Sequence, residues 1–272
     1  MERLAVAKVN LGLSLLGRRP DGYHELHTLF AALSFGDRLL LEPIPEGIAF
    51  RGRYGRRNLA YRAAEAYLQA AGWPGGVRIV LEKALPEGAG LGGGSSDAAQ
   101  VLLGLKALYP AEVDLLALAR SLGADVPFFL LGGAAEARGV GERLKPLILP
   151  PLPVVVFAPG LRLSTPRVYG EVKPHDFGPE LPVAEIVAAL EQGREPPYWN
   201  ALEAPAFRLY PELKEVKARL KDLGLWGVLM SGSGSAFFGF AEGPEHAEEA
   251  VQALRHMGYA RQGVLGGKRA PH

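Results

Sequence analysis

The segment Pro86-Glu87-Gly88-Ala89-Gly90-Leu91-Gly92-Gly93-Gly94-Ser95-Ser96-Asp97-Ala98-Ala99 carries the strongest chemical signal in the chain. Five of the seven residues from Gly88 to Gly94 are glycine, which frees the backbone to curl and to turn successive N–H groups toward one point. A phosphate suits such a point, and a helix starting near Ser95 adds the positive end of its dipole. The Ser95 and Ser96 hydroxyls can bind phosphate oxygens or a metal ion carried on them. The competing reading is a flexible loop in which Ser95, Ser96 and Asp97 only cap the helix.

Two familiar phosphate loops can be tested against this segment. A P-loop needs Lys and then Ser or Thr after its last glycine, and the chain has no Gly-Lys-Ser/Thr triplet, so a P-loop nucleoside triphosphatase is excluded. Gly88, Gly90 and Gly93 do match the G-x-G-x-x-G spacing of a dinucleotide fold, which keeps a nicotinamide-dependent oxidoreductase as an alternative. That fold requires strand, loop, helix and strand. Here a second helical pattern from Glu112 follows the motif helix, which argues against it.

Two charged residues stand out elsewhere. Lys8 lies in the apolar run Leu4-Ala5-Val6-Ala7-Lys8-Val9, where a buried ammonium needs an anion, unless it ends a strand and reaches solvent. Asp125 follows Gly123, which ends a helical pattern, and precedes Val126-Pro127, so it is either a cap or a working carboxylate on a held loop. His24 and His27 have the spacing of a metal pair, but on a strand and turn that spacing does not converge. His175, His246, His256 and His272 read as surface residues. Ser231-Gly232-Ser233-Gly234-Ser235 reads as a second anion-binding turn or a flexible hairpin.

The elements that must position these groups follow from periodicity. Residues 2–9 alternate as a strand, and Leu11 to Ile44 reads as strands broken by turns at Arg18–Tyr23 and Ser34–Asp37. Helices are expected over Asn58–Ala71, Ser95–Leu108 and Glu112–Leu122, with a strand at Val77–Leu81. The run KPLILPPLP around residues 145–153 marks a domain crossing, giving domains 1–150 and 151–272. Beyond it, Val154–Phe157, Pro211–Leu223, Trp226–Met230, Ala236–Ala241, His246–Met257 and Tyr259–Leu265 read as strand, helix, strand, strand, helix, strand. Residues 160–200 are expected to add helical segments. The whole is an α+β protein whose second half is a sandwich with helices on one face.

Composition bounds the partners. The chain has 272 residues, 48% apolar and 22% charged, which describes a globular protein rather than a disordered or fibrous one. Thirty basic against twenty-nine acidic residues leaves a net charge of +1, so no broad field draws it onto nucleic acid or an anionic membrane. It has no cysteine, which removes disulfides, thiolate nucleophiles and thiolate metal sites. With no apolar run long enough to span a bilayer, a cytoplasmic enzyme is the expected class, and a nucleic-acid-associated protein is disfavoured.

Pro86–Ala99 resembles the ATP-binding motif of the GHMP kinase superfamily. Three further runs extend the resemblance over essentially the whole chain. They are Ala7-Lys8-Val9-Asn10-Leu11 with Arg18-Arg19-Pro20-Asp21-Gly22-Tyr23-His24, then Leu122-Gly123-Ala124-Asp125-Val126-Pro127-Phe128-Phe129, and the late Ser231–Ser235. The branch most similar acts on a cytidylyl sugar-alcohol diphosphate in isoprenoid precursor synthesis. The resemblance implies a two-domain fold, the first half like a ribosomal protein S5 domain and the second a ferredoxin-like sandwich. It implies an ATP- and Mg2+-dependent small-molecule kinase, a monomer or weak homodimer, with Pro86 to Ser96 on the nucleotide. Asp125 would be the catalytic carboxylate and Lys8 its companion. Asn10, Tyr23, His24 and Tyr169 would bind the acceptor, although Tyr169 stands where the family pattern has phenylalanine. The resemblance names no metal ligand.

Overall fold

The computed structural model describes residues 1–266, so His272 lies outside the described residues. In chain order the strands and helices are β1 (Glu2–Arg18), β2 (His24–Ile44), β3 (Ile48–Arg51), α1 (Leu59–Ala71), β4 (Gly76–Glu82), α2 (Gly93–Leu108), α3 (Leu115–Leu122), α4 (Val126–Leu131), β5 (Ala134–Gly139) and β6 (Arg143–Leu147). Then come β7 (Pro153–Ala158), α5 (Thr165–Gly170), α6 (Val183–Glu191), α7 (Glu203–Leu209), α8 (Leu213–Asp222), β8 (Trp226–Met230), β9 (Phe237–Phe240), α9 (Pro244–Leu254) and β10 (Tyr259–Val264). Among the described residues no helix is long and apolar enough to cross a membrane. The chain forms two compact units interleaved in sequence. One comprises Met1–Ala7, Phe35–Leu85 and Gly92–Gly132, the other Lys8–Ser34, Pro86–Leu91 and the described residues from Gly133 onward.

In the first unit, Arg38–Ile44 of β2 pairs antiparallel with β4, and β3 adds to β4 in parallel. Val77, Ile79 and Leu81 of β4 are buried, Arg78 and Glu82 face water and Val80 is half-buried, the period of a half-buried strand. The helices lock onto this sheet through two tyrosines. Tyr67 of α1 donates to the Tyr109 carbonyl at 2.7 Å, and Tyr109 donates to the Gly76 carbonyl at 2.6 Å. Asn58 caps α1 as expected, its side chain accepting the Ala60 N–H at 2.9 Å.

The expected turn at Ser34–Asp37 is absent; β2 runs through it without a break. The polar residues that suggested a turn are spent on partners distant in sequence. The Asp37 carboxylate accepts the N–H groups of Ala84 at 2.6 Å and Leu85 at 2.8 Å. Ser34 accepts the Val264 N–H at 2.9 Å. Gly36 allows a close crossing, since a Cβ there would lie 1.9 Å from the Ala5 carbonyl oxygen. Two helix starts also shift. α2 begins at Gly93 rather than Ser95, and α3 begins at Leu115, where Asp114 accepts the Ala117 N–H at 2.9 Å.

In the second unit, Leu26–Ala31 of β2 pairs antiparallel with β5, which pairs with β6. A four-stranded antiparallel sheet follows in the order β10-β7-β9-β8, the order of a ferredoxin-like sandwich. Its core holds the fully buried Phe157 and Phe237, with Leu213, Leu220 and Leu254 from α8 and α9. The dinucleotide alternative has no support here. After α2 the chain passes through α3 and α4 to β5, which runs antiparallel to β2, instead of returning as a parallel strand.

Candidate active site

The glycine-rich loop lies where the chain passes from one unit to the other, with Pro86–Leu91 in the second and Gly92 onward in the first. Gly88, Gly90 and Gly92 take left-handed φ values of 65°, 81° and 71°, so the loop alternates hand at every second residue. In the second unit its carbonyls are claimed by neighbours. Ala236 N–H donates to Ala89 O at 3.0 Å, the Ser231 hydroxyl to Gly90 O at 2.9 Å, and Lys8 N–H to Leu91 O at 3.0 Å. Holding carbonyls in this way keeps the N–H groups of such a loop available to an anion. The Ser231–Ser235 turn, expected as either an anion turn or a loose hairpin, is thus a clamp on the loop.

Lys8 does not reach solvent. Its side chain is 4% exposed, its ammonium donates to Asn10 Oδ1 at 2.6 Å, and it lies 5.1 Å from the centre of the Phe30 ring. Asn10 is buried as well. Its amide nitrogen donates to Thr28 Oγ1 at 2.8 Å, and Thr28 donates to Gly12 O at 2.7 Å, so a polar chain orients the lysine. A Cβ on Gly232 would come within 3.2 Å of Asn10 Oδ1, which brings the Ser231–Ser235 turn to the same place.

The residues assigned to the acceptor divide. His24 meets Tyr169 of α5 with ring centroids 5.3 Å apart at 38°, and meets Phe177 at 5.9 Å and 25°. Burial, and then the nearby Arg18 charge, hold the His24 pKa below the ordinary histidine value, which favours a neutral ring with one donor and one acceptor. Tyr23 is 65% exposed at the tip of the turn, where its N–H donates to Asp21 Oδ1 at 3.1 Å. His27 is no metal ligand in this arrangement. Leu181 N–H donates to its Nδ1 at 2.9 Å, leaving Nε2 to donate to Glu136 at 3.0 Å. His246 is half-buried rather than a plain surface residue, its Nε2 donating to the Leu223 carbonyl at 2.7 Å.

In the first unit, Gly92 precedes the first turn of α2, and Ser96 and Asp97 are buried on its second turn. Ser96 Oγ and Asp97 Oδ1 make no hydrogen bond there. Buried unpartnered oxygens at a helix start suit a phosphate-bound cation or a ligand hydroxyl, so the residues present fit ATP with its metal. Among the described residues there is no cluster of three His, Cys, Asp or Glu side chains that could hold a metal ion.

Beneath this turn lies a group that sequence reasoning missed. Lys83 donates to Asp97 Oδ2 at 2.8 Å and also bonds the fully buried Asp37. A Cβ on Gly93 would lie 3.1 Å from Lys83 Nζ, so the helix starts directly against the ammonium. Lys83 keeps its proton, because Asp97 and Asp37 outweigh the burial that opposes its charge. Burial, and the Asp37 charge beyond Lys83, push the Asp97 pKa up to about 7. The only advance signal was that Lys83 sits five residues before the first glycine of the run, Gly88.

The stability consequence has a definite sign. A carboxyl whose pKa is raised on folding holds its proton in the folded state after the unfolded chain has lost it, so stability falls as pH rises from about 4 to about 7. Asp97→Asn mimics the protonated acid. Its melting temperature relative to the unsubstituted protein therefore increases between pH 5 and pH 8, as scanning calorimetry would show. A difference that is flat with pH would mean Asp97 is ionised throughout.

Asp125 stands immediately before α4, with Pro127 in the first turn of that helix and Phe128 and Phe129 buried behind it. Its side chain makes no capping hydrogen bond to that helix, so capping is not its role.

Comparison with known proteins agrees with these features. The family described as GHMP kinases N terminal domain matches residues 58–133, and that described as GHMP kinases C terminal matches residues 183–260. The chain is 73% identical to the 4-diphosphocytidyl-2-C-methyl-D-erythritol kinase of Thermus thermophilus, over 98% of this chain and 97% of that one. It is 48% identical to the enzyme of the same name from Deinococcus radiodurans, over 92% and 87%. A crystal structure of 4-(cytidine 5'-diphospho)-2C-methyl-D-erythritol kinase superposes with a TM-score of 0.96 at 73% identity, covering 98% of this chain and all of that one. Homoserine kinase from Cytophaga hutchinsonii shares the fold at a TM-score of 0.67 and 20% identity, over 95% and 93%.

Proposed function

This chain belongs to the GHMP kinases, and from that premise we propose that it transfers the γ-phosphoryl group of ATP to the 2-hydroxyl of 4-diphosphocytidyl-2-C-methyl-D-erythritol, on the non-mevalonate route to isoprenoid precursors. The observation that carries the reading is near-full-length identity of 73% to relatives of that name. The aromatic group on His24 supports the cytidylyl part.

Phosphoryl transfer asks for positioning and charge neutralisation rather than covalent work by the protein. In this reading Asp125 accepts the proton of the attacking hydroxyl, the hydroxyl oxygen bonds the γ-phosphorus, and ADP leaves. Lys8, oriented by Asn10, polarises that hydroxyl. The loop from Pro86 to Leu91 and on through Gly92, Gly93 and Gly94 presents N–H groups to the phosphates, with the hydroxyls of Ser95 and Ser96 beside them. Magnesium, when bound, neutralises charge developing on the β- and γ-phosphate oxygens. His24 hydrogen-bonds the cytosine edge while Tyr169 and Tyr23 offer faces for stacking. The enzyme acts in the cytosol as a monomer or weak homodimer, with no nucleic-acid partner.

The test is ADP release in a coupled assay with ATP and magnesium, comparing the cytidylyl acceptor with mevalonate, homoserine and galactose. Turnover with the cytidylyl compound alone is expected; turnover with another acceptor instead would overturn the substrate assignment and leave the phosphate site standing. Tyr23→Ala is expected to raise KM for the cytidylyl acceptor about tenfold, the size of one lost base stack, and to leave KM for ATP unchanged. Equal losses for both substrates would remove Tyr23 from the acceptor site.

A further inference from the structure

We propose that Phe177 is a positioning residue for base recognition: it fixes the plane of the His24 ring and through it sets the affinity for the cytidylyl acceptor. The inference rests on the assignment of His24 to the cytosine edge. A histidine that reads a base must present its donor and acceptor in one plane, and two torsions leave an isolated ring free to turn. Phe177 removes that freedom by stacking on His24 at 5.9 Å and 25°, more nearly parallel than Tyr169 at 5.3 Å and 38°.

A ring can orient another only if its own backbone is held, and the segment around Phe177 is fastened almost residue by residue. Asp176, immediately before it, is gripped by Arg208 at 2.6 Å and accepts the Lys173 N–H at 2.7 Å. Gly178, immediately after it, donates its N–H to Leu15 O at 3.0 Å. The Ser14 hydroxyl donates to Pro179 O at 2.6 Å. Glu180 takes a two-pronged grip from Arg138 at 2.6 and 2.8 Å, and Leu181 is tied to His27. Leu15 and Ser14 lie on β1 and His27 on β2, the strands joined by the turn that carries Tyr23 and leads into His24. The Phe177 segment is thus pinned to the framework that bears the histidine it stacks on. Phe177 is half-buried at the margin of the hydrophobic core, with polar fasteners on both sides of it in sequence. Ring positions fixed before the ligand arrives reduce the ordering cost of binding.

The test is a set of five variants of the full chain, assayed for kcat and for KM of each substrate. Phe177→Ala is expected to raise KM for the cytidylyl acceptor roughly three- to tenfold, the size of one aromatic pair, with kcat and KM for ATP within twofold. Phe177→Tyr restores the KM and Phe177→Leu does not. In a His24→Ala background, Phe177→Ala adds less than a further twofold, because the ring it orients is gone. Full rescue by leucine, or the same KM increase in both backgrounds, would overturn the inference. If His24→Ala itself leaves the acceptor KM unchanged, the base assignment fails instead. Melting temperatures of Phe177→Tyr and Phe177→Leu separate either result from unfolding.

Discussion

Asp125→Asn is expected to lower kcat by about two orders of magnitude or more, with far smaller changes in KM for ATP and for the acceptor. Asparagine keeps the volume and can still hydrogen-bond, but it cannot take the proton that the attacking hydroxyl must lose. The local structure argues that the substitution tests chemistry rather than folding. Asp125 makes no capping hydrogen bond to α4, and the helix behind it is held by Pro127 and the buried rings of Phe128 and Phe129. A melting temperature of Asp125→Asn close to that of the unsubstituted protein is expected, and it separates loss of chemistry from loss of fold. Rapid-quench measurement of a single turnover isolates the phosphoryl-transfer step, and a full-rate Asp125→Asn enzyme would remove the carboxylate from the mechanism.

Gly90→Ala is expected to have the second-largest effect, a fall of about a hundredfold or more in kcat/KM for ATP together with a lower melting temperature. Two costs combine at this residue. The left-handed φ of 81° disfavours any side chain, by about 1–2 kcal/mol. In addition, a Cβ would stand 2.1 Å from the Ser231 carbonyl oxygen, and backbone cannot step aside as a flexible side chain can. Either the loop or the Ser231–Ser235 turn must move, and moving either breaks the bonds that hold the carbonyls of Ala89 and Gly90. Gly88→Ala is the internal control. Its φ of 65° carries the same conformational cost, but a Cβ there meets nothing within 4 Å. If Gly90→Ala were no worse than Gly88→Ala in thermal melts and ATP titrations, the clamp from the Ser231–Ser235 turn would be too soft to shape the loop.

What could be read from the sequence was local. The cap at Asn58, the helical period after it, the turn at Pro20-Asp21-Gly22 and the glycine run each depend on residues a few positions apart, and each is found in the structure. The strands after residue 153 and the helices α8 and α9 were legible for the same reason, whereas α7 was not expected. Asp37 was misread because its type and neighbours suit a turn, while its actual partners are the N–H groups of Ala84 and Leu85 and the ammonium of Lys83. Asp97 looked like a first-turn carboxylate; only burial and Lys83 reveal its unusual acidity. Phe177 gave no signal because its partner His24 lies 153 residues away in sequence. The domain cut near residue 150 falls between β6 and β7, where proline accumulates, whereas the compact units exchange segments at residues 7, 34, 85, 91 and 132. Composition cannot register that weave, because both units draw on β1 and β2. The cut at 150 remains a proposal about which half could fold alone, testable by expressing residues 1–150 and looking for a cooperative melt.

The pairing of Ser34 with Val264 joins residues 230 apart in sequence, and the bridge of Leu33 to Leu265 seals the same seam. During synthesis the early strand β2 thus waits for almost the last described residues before that seam can close. β7 waits too, since one of its two hydrogen-bonding edges belongs to β10. A nascent chain still short of Tyr259 carries an open edge on an otherwise apolar strand, the kind of surface that recruits a neighbour or a chaperone. Ribosome pausing late in the message, far from any catalytic codon, would therefore prolong the interval in which this kinase is most exposed to misassembly.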